Sequence, residues 1–144
     1  MNTIPSYMTS RHRHCDESFI EAESAVATKD WPVATIAWQV FSDDFEHHLN
    51  QEEQVLFPAF EHATGMTMGP TQVMRGEHVQ MRQLVNQMTQ SLSQQAQATY
   101  LGLSETMMML MQQHNMKEEQ MLYPMTQSNL PDPDEVLTQV KAFK

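Results

Sequence analysis

One eleven-residue pattern occurs twice in this chain, and it constrains the fold more than any bulk property does. His48-Leu49-Asn50-Gln51-Glu52-Glu53-Gln54-Val55-Leu56-Phe57-Pro58 returns as His114-Asn115-Met116-Lys117-Glu118-Glu119-Gln120-Met121-Leu122-Tyr123-Pro124, so both copies read H-x-x-x-E-E-Q-x-L-[F/Y]-P. The 66-residue offset that carries His48 onto His114 also carries His12 onto His78, and each of these lies 36 residues upstream of its partner. In an α-helix, residues four apart project from one face, separated by about one turn, ~5.4 Å. Each copy therefore presents an imidazole and a carboxylate together.

The apolar residues around these motifs recur at helical rather than alternating spacing, and Gly (4) and Pro (7) are few. That predicts an all-α protein. The chain, 1–144, is long enough for one domain with a sizeable core. Helices are expected at about 5–28, 32–61, 71–96 and 97–126, with a short C-terminal helix at about 133–143. Asp30 and Pro32 mark a restart after the first helix, and Pro58 must kink or end the second. The stretch 63–70, with two glycines and a proline, is the clearest loop and lies between the two halves. Short connections make antiparallel neighbours, hence an up-down-up-down four-helix bundle whose halves are related by an approximate two-fold axis.

The inward row of the first helix reads Met8, His12, Cys15, Phe19, Ala22 and Val26, and the same offset turns it into Met74, His78, Met81, Val85, Met88 and Leu92. Every partner is apolar or histidine, which selects His12 over His14 as the match for His78. His14 has polar neighbours one turn on, and His47 is rotated about 100° from His48, so both are expected off the rows. The second and fourth helices contribute Phe41, Phe45, His48, Glu52 and Leu56, and Met107, Met111, His114, Glu118 and Leu122.

A formal charge of −10 repels nucleic acid and anionic lipid, and no basic stripe offsets it. A single cysteine, Cys15, forms no internal disulfide, and no apolar run resembles a signal peptide or a membrane span. The expected location is cytoplasmic. The fourteen methionines fall on mixed helix faces and read as core filler rather than a copper site.

Burying Glu52 and Glu118 without partners would cost several kcal/mol each. Arg11, Arg13, Arg82 and Lys117, the cations near the motifs, lie off the inward rows, so dications are the better neutralisers. Two glutamates bridging two metals, with two histidines per metal, form a mixed N/O set suited to first-row transition ions rather than Ca²⁺ or Mg²⁺. The proposed ligands are His12, His48, Glu52, His78, His114 and Glu118. A near absence of thiols excludes an iron–sulfur cluster or a cysteine zinc site. Glu53 and Glu119, one step round, are expected to support the ligands or face solvent.

This set resembles the hemerythrin-like, or HHE cation-binding, family: a His on helix 1, H-x-x-x-E on helix 2, E-H (Glu77-His78) on helix 3 and H-x-x-x-E on helix 4, over about Met8 to Pro124. The resemblance implies two iron ions in an oxo- or hydroxo-bridged di-iron centre. Oxygen-carrying members have a second helix-3 histidine where this chain has Arg82. Two imidazoles per iron are similar instead to bacterial di-iron proteins of nitric oxide stress and iron-cluster repair, although the N-terminal cysteine-pair domain of that group is absent from this sequence. The expected function is binding of O2 or nitric oxide for sensing, storage or stress response. The alternatives are a di-iron enzyme, oxidase- or peroxidase-like or acting in nitric oxide reduction or cluster repair, and an iron-responsive interaction module. No extra acid or base stands on the inward rows; Tyr7, Tyr123 and Cys15 are the nearest redox-capable side chains.

Overall fold

A computed structural model describes residues 2–144, all of it helix and short connections. Helix α1 (Ile4–Ala27) starts on a capping box: Thr3 Oγ1 accepts from the Ser6 N–H at 3.2 Å and Ser6 Oγ accepts from the Thr3 N–H at 3.2 Å. Helix α2 (Trp31–Gln51) is capped by Asp30, whose Oδ1 accepts from the Val33 N–H, with Pro32 in the first turn. Helices α3 (Phe57–Thr64), α4 (Pro70–Ser93), α5 (Gln97–Lys117) and α6 (Tyr123–Asn129) follow, and α7 (Pro133–Ala142) closes the chain. In the bundle α1 lies against α2 and α5, and α4 against α5 and α2, which is a closed four-membered ring of neighbours.

The α1–α2 and α4–α5 connections are built alike. Lys29 and Gln95 both adopt a left-handed conformation, φ 59° and 51°. Around them the Asp30 N–H reaches Ala25 O and the Ala96 N–H reaches Ser91 O, while Lys29 N–H and Gln95 N–H reach Val26 O and Leu92 O. These are paired Schellman closures that satisfy the last carbonyls of each helix. They also stop α4 at Ser93, short of the expected 96.

The helix expected over 32–61 does not end or break at Pro58. It passes through a π-helical turn, Glu52–Leu56, in which the Phe57 N–H donates to Glu52 O, five residues back. The helix expected over 97–126 passes through a second, Glu118–Leu122, in which the Tyr123 N–H donates to Glu118 O, and continues to Asn129. Pro58 and Pro124 follow directly, where a proline ring forbids the regular bond to the fourth residue back. Each π turn carries one extra residue, so the buried face jumps by one position: Leu56 and Phe57 are both fully buried, and so are Leu122 and Tyr123.

The core falls into zones. Phe19, Trp38, Phe41, Phe45 and Tyr100 pack as an aromatic cluster at the end closed by the two left-handed turns, with Phe19 and Phe41 ring centroids 5.1 Å apart. At the opposite end Leu137 and Val140 of α7 join Ile4, Met8, Leu56, Tyr123 and Leu130. Gln51 Nε2 holds α7 in place by donating to Val140 O at 3.0 Å. The polar layer lies between these zones. No helix among the described residues is long and apolar enough to cross a membrane.

Candidate metal centre

All six residues singled out by the repeat meet in this layer, and each is at most 4% exposed. His12 comes from α1, His48 from the last turn of α2 and His78 from α4, while His114 comes from the last turn of α5. Glu52 and Glu118 are the first residues of the two π turns. Donor atoms of His12, His48, Glu52 and Glu118 lie within 4.8 Å of one another, and so do those of Glu52, His78, His114 and Glu118. Two four-membered groups thus share the two carboxylates.

The outer nitrogens of the rings are held by a further set of carboxylates. His12 Nδ1 lies 2.7 Å from Glu119 Oε2, His78 Nδ1 2.6 Å from Glu53 Oε2 and His114 Nδ1 2.8 Å from Glu77 Oε1. Such bonds fix the ring and direct the other nitrogen, Nε2, inward. Glu53 and Glu119 therefore support histidines of the opposite half. Arg82 clamps Glu53 at 2.7 Å, and Lys117 clamps Glu77 at 2.5 Å.

Inside the layer His12 Nε2 pairs with Glu118 Oε1 at 3.0 Å, but the other donors converge with buried atoms left unpaired. His78 Nε2 is 3.1 Å from Glu52 Oε1 and His114 Nε2 is 3.3 Å from Glu118 Oε1, yet neither ring nitrogen has a hydrogen-bond partner. Both nitrogens of His48, Glu52 Oε1 and Glu118 Oε2 are likewise buried and unpaired. Native interiors leave few such atoms. Converging unpaired imidazole and carboxylate lone pairs fit a pair of cations, and the N/O donor set suits transition ions.

Titration behaviour shows how the layer handles its charge with protons alone. Burial disfavours charged His12, but bonds to Glu118 and Glu119 outweigh it and raise the imidazole to about 10. Burial works against His114 too, and the charge of Glu118 beside it prevails, raising it to about 9. Burial and the neighbouring Glu118 push Glu52 up to about 7. Glu118 stays well below the usual carboxylate range despite burial, because His114 and His12 face it. His48 is driven far below an ordinary histidine by burial and by the positive charge on His12.

Of the three redox-capable side chains named from the sequence, none of them on an inward row, Tyr123 is the one that reaches the layer. Its buried hydroxyl lies 2.5 Å from Glu52 Oε2, 2.8 Å from Glu118 Oε1 and 3.0 Å from His12 Nε2. On a regular α-helix a residue five beyond Glu118 would point about 140° away; the π turn brings it round. The other candidates stay outside the layer. Tyr7 takes a 3.4 Å bond from Gln51, and Cys15 sits in the apolar core, where burial pushes its thiol up to about 12. His14 pairs with Asp44 at 2.9 Å, His47 packs beside Phe143, and His62 is exposed.

Fold and layer together define an all-helical protein with a buried histidine–carboxylate cation site. The chain matches the Hemerythrin HHE cation binding domain over residues 3–126, most of its length, and belongs to that family. No curated protein and no solved structure matches it.

Proposed function

We propose that the protein is a non-haem di-iron protein that binds O2 or a related diatomic such as nitric oxide. The observation that carries this is the two overlapping donor groups sharing Glu52 and Glu118. His12 and His48 would hold one iron, His78 and His114 the other, and the two glutamates both. The iron pair would supply the electrons and the open coordination positions that a diatomic needs. The residues do the rest: Glu53, Glu77 and Glu119 hold three of the four rings, and the packing of Phe57, 5.6 Å from the His78 ring, keeps bulk water out. Iron content and optical spectra of protein from iron-supplemented cells test the reading. The expected result is about two irons per chain, both lost in a Glu52→Ala, Glu118→Ala double variant. Iron that is absent, or indifferent to those glutamates, would sink it.

The Tyr123 hydroxyl favours a second reading, a di-iron enzyme of oxidase or peroxidase type. Bonded to both carboxylates and to His12, it is placed to hold a proton at the layer. Tyr123→Phe should then slow steady consumption of O2, peroxide or nitric oxide with a reductant while leaving iron content unchanged. A pure binding protein would show no sustained turnover in either form.

A further inference from the structure

The repeat is nearly symmetric at the six donors, but the surroundings of the His12/His48 pair differ from those of the His78/His114 pair. Glu77 bonds His114 Nδ1; the position 66 residues earlier is Arg11, which cannot accept a hydrogen bond. His48 Nδ1 is accordingly buried with no partner, and Arg11 forms no hydrogen bond or ion pair among the described residues. Arg82 clamps Glu53; its counterpart is Asp16, which carries the same sign of charge as the Glu119 it neighbours. Glu119 is 36% exposed against 16% for Glu53, and with Asp16 it lines an open cleft of about 380 Å³ between α1 and α5. Finally, Phe57 stacks on His78, whereas its counterpart Tyr123 puts a hydroxyl beside His12 Nε2.

We infer that the two cation positions are unequal: the His78/His114 position is the tight, permanent one, and the His12/His48 position is labile and exchanges its ion with solvent. This rests on the two-metal reading above. The physical reason is orientation and basicity. A carboxylate on the outer nitrogen holds a ligating imidazole in place and strengthens it, and loss of such a partner typically weakens metal binding 10–100-fold. At the His78/His114 position both rings have that support, and both supporting carboxylates are pinned by a cation. At the His12/His48 position one ring has none, and the other relies on a carboxylate that faces water. Position 11 is the 66-residue counterpart of position 77, from which Glu77 secures His114, and its arginine gives His48 no such support.

Anaerobic titration of the metal-depleted 144-residue chain with Fe²⁺, followed by equilibrium dialysis and by timed extraction with a chelator, tests this. Two binding steps are expected, about 10–100-fold apart, with one ion extracted much faster than the other. His48→Ala should abolish the weak, fast-exchanging step and leave the tight one, whereas His114→Ala should remove the tight one. Glu77→Gln should loosen the tight step toward the weak one, and Arg11→Glu should tighten the weak step and slow its extraction. Glu77→Gln keeps the test decisive if Arg11→Glu does not fold. Two equal steps in the wild-type protein, or loss of the tight step in His48→Ala, overturns the inequality while leaving two metals in place. Failure to bind Fe²⁺ at all overturns the two-metal reading itself.

Discussion

The aromatic end of the bundle and the polar layer next to it are both fully buried, yet opposite physics holds them together. Phe41 packs against the rings of Phe19, Trp38 and Phe45, and Trp38 contributes its one polar group, Nε1–H, to Thr89 Oγ1 at 2.8 Å. There burial is favourable without further help, at about 25 cal/mol per Å² of apolar surface. In the polar layer burial is unfavourable for every donor, and stability depends on what neutralises Glu52 and Glu118. Among the described residues the first region has no donor set for a cation; the second depends on one.

The largest effect should come from Phe41→Ala, which removes a ring packed on Phe19, Trp38 and Phe45 and should cost about 3–5 kcal/mol. Chemical denaturation should give the same loss with and without metal. A loss that metal restores would break the contrast between the regions. Metal removal comes next. By linkage a free ion at a hundredfold above its Kd adds about 2.7 kcal/mol, so chelation should lower the melting temperature of wild type and of Phe41→Ala alike, and of the Glu52→Ala, Glu118→Ala variant hardly at all.

The pH response of the metal-free protein should be a gentler drift with a defined sign. His12 and His114 are raised from the ordinary 6.5 to about 10 and about 9 by folding. The folded state therefore holds protons that the unfolded chain releases, a stabilisation complete below 6.5 and lost as pH rises through 9 to 10. Glu52, raised to about 7, acts in the same direction over lower pH. Metal displaces these protons, so binding should release them and strengthen as pH rises. His48, held below 6.5, opposes this trend only near and below 6.5, so denaturation of the chelated protein from pH 8 to 10 should show falling stability; a rise there would refute the assigned shifts. The smallest change sharpens the comparison at the aromatic end. Lys29→Gly and Gln95→Gly each relieve a left-handed non-glycine residue, and each should raise stability by about 1 kcal/mol or less, with no effect on metal affinity.

What was legible in the sequence was whatever the 66-residue offset or the 3.6-residue period could carry. The fold class and the convergence of His12, His48, Glu52, His78, His114 and Glu118 followed from those two regularities. Tyr123 was named only as a nearby side chain; its contact with Glu118 was not legible, because it depends on a π turn, and a regular period places it on another face. The adjacent apolar pairs Leu56-Phe57 and Leu122-Tyr123 ahead of a proline were the only trace of that turn. Glu77 sat in the E-H pair of the resemblance, but its bond to His114 crosses between helices and has no sequence spacing to announce it. The unpaired Nδ1 of His48 appears only when the halves are overlaid in space.

The π turns bear on how this protein could be engineered. A common route to a more stable bundle is to idealise its backbone, giving each helix one uninterrupted period. Here that would mean winding Glu52–Leu56 and Glu118–Leu122 as regular α-helix with the number of residues unchanged. It would also rotate everything beyond by about 100°, carrying Phe57 off His78 and Tyr123 off the carboxylates. A designer who regularised the helices would obtain a sound bundle with a dismantled centre. The irregular turn is therefore part of the site's specification, as much as any ligand.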